Sequence, residues 1–131
     1  MIAEDSKVPA MYPGRVAGIE DDFLGRSVWL RHDQFLRDGA CLYTVYGHTS
    51  PVTAIGQGDS LSEGEIFATI RSKARAGLPY HLHISMLWVP ESIRTPSWAG
   101  VGKNKDFVLV DPLIHVAGKR WNPTTPELPF D

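Results

Sequence analysis

Hydrophobic positions along this chain fall into short runs rather than into helical stripes. GRVAGI (14–19), SVWLRH (27–32), CLYTVYGH (41–48), EIFATI (65–70), HLHISMLWV (81–89) and DFVLV (106–110) are rich in β-branched and aromatic residues and predict six strands. Turn formers separate them in EDDFLG, RDG, SPVTAIGQGD, ARAGLP and VGKNKD. No window of helical length keeps a 3.6-residue apolar period, and PESIRTPSW has room for only one short helical turn. The pattern predicts an all-β fold built as a compact sheet or barrel. One domain is expected over residues 1–118. The tail, 119–131, contains WNPTTPELPFD with three prolines and is expected to run extended over the surface.

The run HLHISM carries the first chemistry. A period of two puts His81, His83 and Ser85 on one strand face and Leu82, Ile84 and Met86 on the other. The apolar set is expected to face the core, which turns both imidazoles toward a groove or solvent. Imidazoles at this spacing can serve one metal ion, or one ion and its activated water; the other reading is a polar face whose histidines only hydrogen-bond. His48 closes its strand just before a turn, where it can reach a neighbouring strand's polar face.

Composition narrows the partners. The 131 residues are 43% apolar and 21% charged with a formal charge of −2, as expected of one soluble globular domain. Without a basic field, nucleic acid and anionic membranes are disfavoured as partners. No stretch approaches the roughly 20 apolar residues of a membrane span, and MIAEDSKVPA lacks the basic start and apolar core of a secretory signal. Cys41 is the only cysteine, so an intrachain disulfide and a cysteine zinc cage are both excluded, and a small buried strand residue is expected there. Trp29, Trp88, Trp98 and Trp121 read as packing residues before they read as the lining of a peptide or glycan groove. Glu20, Asp21 and Asp22 read as a solvated turn, His32 as a groove residue or a surface strand end, and His115 as structural or exposed.

Taken in order, YGH (46–48), the pattern G-x-G-D-x-L-x-x-G-E-x-x-A and HLHISM resemble the lysostaphin-type zinc metalloendopeptidases, which cut peptide crosslinks in bacterial cell walls. The upstream segment VPAMYPGRVAGIEDDFLGRSVWLRHD resembles the start of that family, so the likeness covers about residues 6–89. The Tyr-x-His and His-Leu-His elements are fairly specific, and the glycine pattern alone is not. The resemblance implies an antiparallel half-barrel of the duplicated hybrid-motif kind. It also implies zinc as cofactor, cell-wall peptide as partner, and an extracellular or periplasmic location. Carried over residue by residue, it makes His83 a zinc ligand and His81 and His48 catalytic. In such a site zinc holds a water and polarises the scissile carbonyl, while the imidazoles move protons and stabilise the oxyanion.

Two departures from the family pattern stand out. The remaining zinc ligands of the family come from a His-x-x-x-Asp motif just before the Val-x-Ala strand, a place that falls at or before Met1; MIAEDSKVPA offers Glu4 and Asp5 but no histidine. TIRSKARAGLPY stands where the family usually has a glycine-rich turn. Either the ligands lie upstream of this chain, or zinc has been lost and the domain is incomplete as an endopeptidase. In the second case the expectation is a non-catalytic module that binds cell-wall peptide or a partner protein through the old groove. A zinc site of three imidazoles, His48, His81 and His83, is a further alternative. The last is a biotinyl or lipoyl carrier, suggested by GDSLSEGEIFATI with Lys73 beyond it, although the carrier turn does not match and His-x-His has no role there.

Overall fold

The computed structural model describes residues 6–22, 25–52, 54–70, 82–101, 103 and 106–111. Nine strands form among them: β1 (Lys7–Pro9), β2 (Gly14–Asp22), β3 (Gly25–Arg37), β4 (Ala40–Gly47), β5 (Thr49–Pro51), β6 (Ser60–Leu61), β7 (Ile66–Ile70), β8 (His83–Pro90) and β9 (Val108–Val110). One short helix, α1 (Trp98–Val101), precedes β9. The strands make two antiparallel sheets, one ordered β1-β7-β5 and the other β6-β2-β3-β4-β8-β9. The all-β, antiparallel class expected from the sequence is the class observed. The segments 71–81 and 112–131, which include His81, Lys73, His115, Trp121 and the proline-rich tail, lie outside the described residues.

Six of the strands answer to the apolar runs, β1 carries Val8 of the Val-x-Ala strand that the family resemblance implies, and β5 and β6 were not expected. Each of these three has only two or three residues, too few to show a period; pairing with a longer neighbour makes them strands. The acidic segment is also corrected. Residues Glu20 to Asp22 continue β2 rather than forming a turn, with Asp21 opposite Arg26 across the β2–β3 hairpin. Arg26 Nε reaches Asp21 Oδ1 at 3.1 Å, an exposed cross-strand ion pair that suits the register and adds little stability. The helical turn sits at Trp98–Val101 and shares only Trp98 with the window PESIRTPSW.

The six-stranded sheet buries both of its faces. One face presents Val16, Val28, Leu30, Leu42, Tyr46, Met86 and Trp88 to Val8, Phe67, Ala68 and Ile70 of the three-stranded sheet, and this is the larger core. The opposite face presents Ala17, Trp29, Cys41, Tyr43, Val45, Leu87 and Val89, covered by Ile93, Trp98, Val101 and Phe107 from the excursion between β8 and β9. Of the tryptophans, Trp29 and Trp88 are buried and Trp98 is half-buried, as expected of packing residues. Two irregularities bend the sheet: a register shift between Val16 and Gly18 in β2, and another between His32 and Leu36 in β3.

At the first of these bends the chain comes close to itself. A Cβ on Gly14 would lie 2.8 Å from His32 Nδ1 and 2.9 Å from the Arg31 carbonyl oxygen, so only glycine lets β2 start so near β3. The backbone oxygen cannot give way as a flexible side chain could. Gly14→Ala is therefore expected to destabilise the fold by about 1–3 kcal/mol, the usual range for overpacking. Urea denaturation of the two proteins checks this, with an unchanged midpoint refuting the close-packing argument.

Candidate functional site

β4 and β8 pair along their whole length, from Ala40 opposite Pro90 to Gly47 opposite His83. This register brings His83, the first residue of β8, to the end of β4, and the next residue in the chain is His48. His48 has φ of 61°, in the left-handed region that β-carbon sterics disfavour for residues other than glycine, though histidine, asparagine and aspartate enter it more often than the rest. There the chain leaves the six-stranded sheet at Gly47 and enters the three-stranded sheet at Thr49. Thr49 is buried and donates its hydroxyl to the Arg26 carbonyl at 3.0 Å, which ties down the far side of the crossing.

The consequence is a pair of imidazoles. The rings of His48 and His83 lie edge to face with centroids 6.3 Å apart and planes at 65°. His48 is half-buried and His83 is exposed, so the pair sits at a solvent-accessible end of the sheet. The alternation in β8 is as expected for its apolar set: Leu82 and Ile84 pack against the larger core and Met86 is within it. On the other face His83 is open, but Ser85 is buried, because the second core begins beneath it at Val45 and Leu87.

Farther along that second face lies a polar group with its own logic. Arg31 is almost fully buried; its Nε donates to Asp33 Oδ1 at 2.6 Å and its Nη1 to Tyr43 Oη at 3.0 Å. Burial works against the guanidinium charge, but the hydrogen bonds to Asp33 and Tyr43 outweigh it and hold its pKa above the ordinary value. Cys41 occupies the same face, fully buried as expected. Burial pushes its thiol up to about 11, against the opposing pull of Arg31.

His32 is where the sequence reading needs most revision. It is neither a groove residue nor a surface strand end: β3 continues to Arg37, and His32 is fully buried on the larger core's side. Its Nδ1 lies 2.8 Å from the Pro13 carbonyl oxygen and its Nε2 lies 2.8 Å from Thr44 Oγ1. The signal was present in SVWLRH, since Val28, Leu30 and His32 fall on one strand face and the first two are core residues.

A concavity of about 880 Å³ lies at the other end of β4 and β8, lined by Arg37, Asp38, Trp88, Val108 and Leu109 among others. Seven residues of strand, roughly 23 Å, separate Ala40 there from Gly47. It contains neither His48 nor His83.

Comparison with known proteins agrees with this architecture. Residues 1–95 match the profile of peptidase family M23, and the chain belongs to that family. It is similar in structure to LytU, with a TM-score of 0.64 and 17% identity over 90% of this chain and 69% of that one. It is also similar to the catalytic domain of the antimicrobial peptidase lysostaphin from Staphylococcus simulans, with a TM-score of 0.60 and 20% identity over 89% of this chain and 74% of that one. No curated protein sequence matches the chain significantly. The resemblance read from YGH and HLHISM thus led to the right family and fold.

The family is zinc-dependent, and the donors of this chain can be tested against that requirement. Two imidazoles sharing one tetrahedral zinc, each bound at about 2.0–2.1 Å, place their ring centroids roughly 5 Å apart, so the His48–His83 spacing is near what a shared ion needs. Two donors do not complete a cage, however, and among the described residues no group of three or more His, Cys, Asp or Glu side chains comes together. The described donors therefore do not fit a zinc site by themselves. His81, the third imidazole of the sequence reading, lies outside the described residues.

The burial of Cys41 gives this face a simple probe. Its thiol is expected to resist alkylation by iodoacetamide at pH 8 in the folded protein and to react stoichiometrically in denaturant. Rapid labelling without denaturant would show that β4 is open to solvent.

Proposed function

We propose that this M23 domain binds bacterial cell-wall peptides at the exposed sheet end that carries His48 and His83, and that this chain is incomplete as a zinc endopeptidase. The observation that carries the reading is the imidazole pair itself. Two histidines from different strands converge at a solvent-accessible edge of an M23 fold, while the described residues add no acid or thiol to them. Cell-wall peptides are rich in amide groups and carboxylates. Imidazoles at this edge can donate to or accept from an amide, and in their protonated form can attract a carboxylate.

The family roles can be stated as part of this proposal. In a complete M23 site His83 would hold zinc and His48 and His81 would handle protons. In this chain the same three side chains serve as recognition groups, and a partner protein is the other occupant such a groove could take. A second reading is favoured by the ring spacing: zinc bound by His48, His81 and His83 together, with water as a fourth ligand. Its readout is zinc retained after dialysis, which is independent of hydrolysis.

The test is cosedimentation with purified peptidoglycan, run beside an assay for released muropeptides with and without added zinc. Wild-type protein is expected to cosediment and to release nothing above background. His83→Ala is expected to bind about tenfold more weakly, the loss of one or two good hydrogen bonds. Failure to cosediment would refute wall binding. Zinc-dependent, chelator-sensitive release of muropeptides would overturn the claim of incompleteness. One equivalent of zinc retained by wild type but not by His83→Ala would establish the three-imidazole site.

A further inference from the structure

A chain of hydrogen bonds runs through the larger core and ends on His32. The Met11 amide donates to Tyr46 Oη at 3.0 Å; Tyr46 Oη and Thr44 Oγ1 are 3.2 Å apart; Thr44 Oγ1 and His32 Nε2 are 2.8 Å apart; and His32 Nδ1 is 2.8 Å from the Pro13 carbonyl oxygen. His32, Thr44 and Tyr46 have no exposed surface. The chain joins three places: β3 through His32, β4 through Thr44 and Tyr46, and the connection from β1 to β2 through Met11 and Pro13. That connection is where the polypeptide passes from the three-stranded sheet into the six-stranded one.

Proton counting fixes its direction. The Pro13 carbonyl can only accept, so Nδ1 must carry a proton. In a neutral imidazole Nε2 is then an acceptor, and Thr44 must spend its one hydroxyl proton on it. The 3.2 Å contact between the Thr44 and Tyr46 hydroxyls, whose geometry by itself also suits Thr44 as donor, is then made by the Tyr46 proton, while the Met11 amide, which can only donate, points at Tyr46 Oη. Every donor meets an acceptor, and the order runs one way: Met11 to Tyr46 to Thr44 to His32 to Pro13. A protonated imidazole has donors on both nitrogens. Thr44 must then accept from His32 and turn its own proton toward Tyr46. The Tyr46 proton, in a fully buried phenol, is left without an acceptor among the described residues, at the cost of a buried unsatisfied donor.

We infer that His32 is a neutral link in a one-way hydrogen-bond relay, ending at the Pro13 carbonyl, that positions Tyr46, and through Tyr46 the site histidine His48, and that acid releases this relay. Tyr46 stands two residues before His48, and the Met11 bond holds it against the passage between the sheets. The surroundings oppose an imidazolium. The Tyr12 and Phe35 rings meet the His32 ring edge-on at 5.7 and 6.4 Å, the place of a Gly14 Cβ is 2.8 Å from Nδ1, and Leu42 pairs opposite on β4. The titratable neighbours are phenols and a thiol. Burial pushes Tyr46 up to about 12 and raises Tyr12, with a smaller contribution from Glu63, so both phenols remain neutral; the Cys41 thiol donates to the His32 carbonyl at 3.1 Å. Arg31 and Asp33, the charged neighbours along β3, are engaged with each other.

The sign of the pH effect follows. An unfolded histidine takes up a proton near pH 6.5, and the relay disfavours that proton in the folded state. The folded pKa is thereby lowered, so the stability contributed is present above about pH 6.5 and is lost as pH falls below it. The relay stands independently of wall binding; only its effect on peptide recognition rests on the reading under Proposed function.

Nitrogen-15 NMR of the wild-type imidazoles is the primary test. His32 is expected to show the neutral form protonated on Nδ1 at pH 7 and to keep it at pH 5.5, where exposed histidines are protonated. The folding equilibrium is expected to weaken by up to tenfold per pH unit below about pH 6, and His32→Phe, which cannot titrate, is expected to remove most of that slope. Tyr46→Phe is expected to shift the His48 ring resonances at pH 7, whereas Leu61→Ala, a core truncation outside the relay, is not. A His32 protonated on Nε2 in its neutral form, a titration at or above pH 6.5, or His48 resonances indifferent to Tyr46→Phe would overturn the inference. Because these readouts need no wall peptide, a failure of cosedimentation leaves them untouched. If His32→Phe does not fold, the wild-type tautomer and titration still decide.

Discussion

The structure depends on one strand being buried on both sides. From Cys41 to Gly47 every residue of β4 is buried, with Leu42 and Tyr46 in the core between the sheets and Cys41, Tyr43 and Val45 in the core on the other face. Slipping such a strand by one residue would exchange the two sets, placing Tyr43 where Leu42 fits and Thr44 among Trp29 and Leu87. Register is therefore fixed against both neighbours, β3 and β8. That β8 meets β4 with His83 opposite Gly47 is a result of this locking, and so is the convergence of His48 and His83.

The same constraint explains what could be read from the sequence. CLYTVYGH and HLHISMLWV stand out because strands in the middle of a sheet must be apolar at nearly every position, and the period of two in HLHISM placed Leu82, Ile84 and Met86 on the core side. The short strands β5 and β6 were not legible, since two or three residues owe their conformation to a partner distant in sequence, and β1 was marked only by the family's Val-x-Ala pattern at Val8. Glu20 to Asp22 looked like a turn because acids are rare in strands. They are tolerated where β2 becomes exposed and Arg26 stands opposite Asp21. For the site, the motif brought out His48, His81 and His83, and the structure brings His48 and His83 together. The left-handed backbone at His48 left no mark in the sequence, because histidine gives no warning of positive φ as glycine would.

That backbone conformation shows where the fold tolerates strain. A left-handed non-glycine residue costs roughly 1–2 kcal/mol, and here it occurs at the single residue between two strands that belong to different sheets. The crossing is held on both sides by buried groups: Tyr46 before it, bonded to the Met11 amide, and Thr49 after it, bonded to the Arg26 carbonyl. A half-buried imidazole between two such anchors has little freedom to move relative to β8, so the geometry of the pair is set by the core rather than by the histidines themselves.

The contrast between His32 and the exposed pair sharpens what a histidine in a strand means. His32, His48 and His83 all stand on or beside strands of one sheet, and His32 has both ring nitrogens 2.8 Å from partners on the core side. Its bonds join β3, β4 and the β1–β2 connection, and the inferred relay requires its neutral form. His83 is exposed, and its ring meets another imidazole instead of a fixed carbonyl. A ring whose nitrogens are both committed to the backbone and a buried hydroxyl can organise a site without touching its ligand. A ring left open at the sheet's end can touch the ligand but depends on others for its position. In this domain the two kinds are linked by β4, which carries Thr44 and Tyr46 toward His32 and delivers His48 at its end.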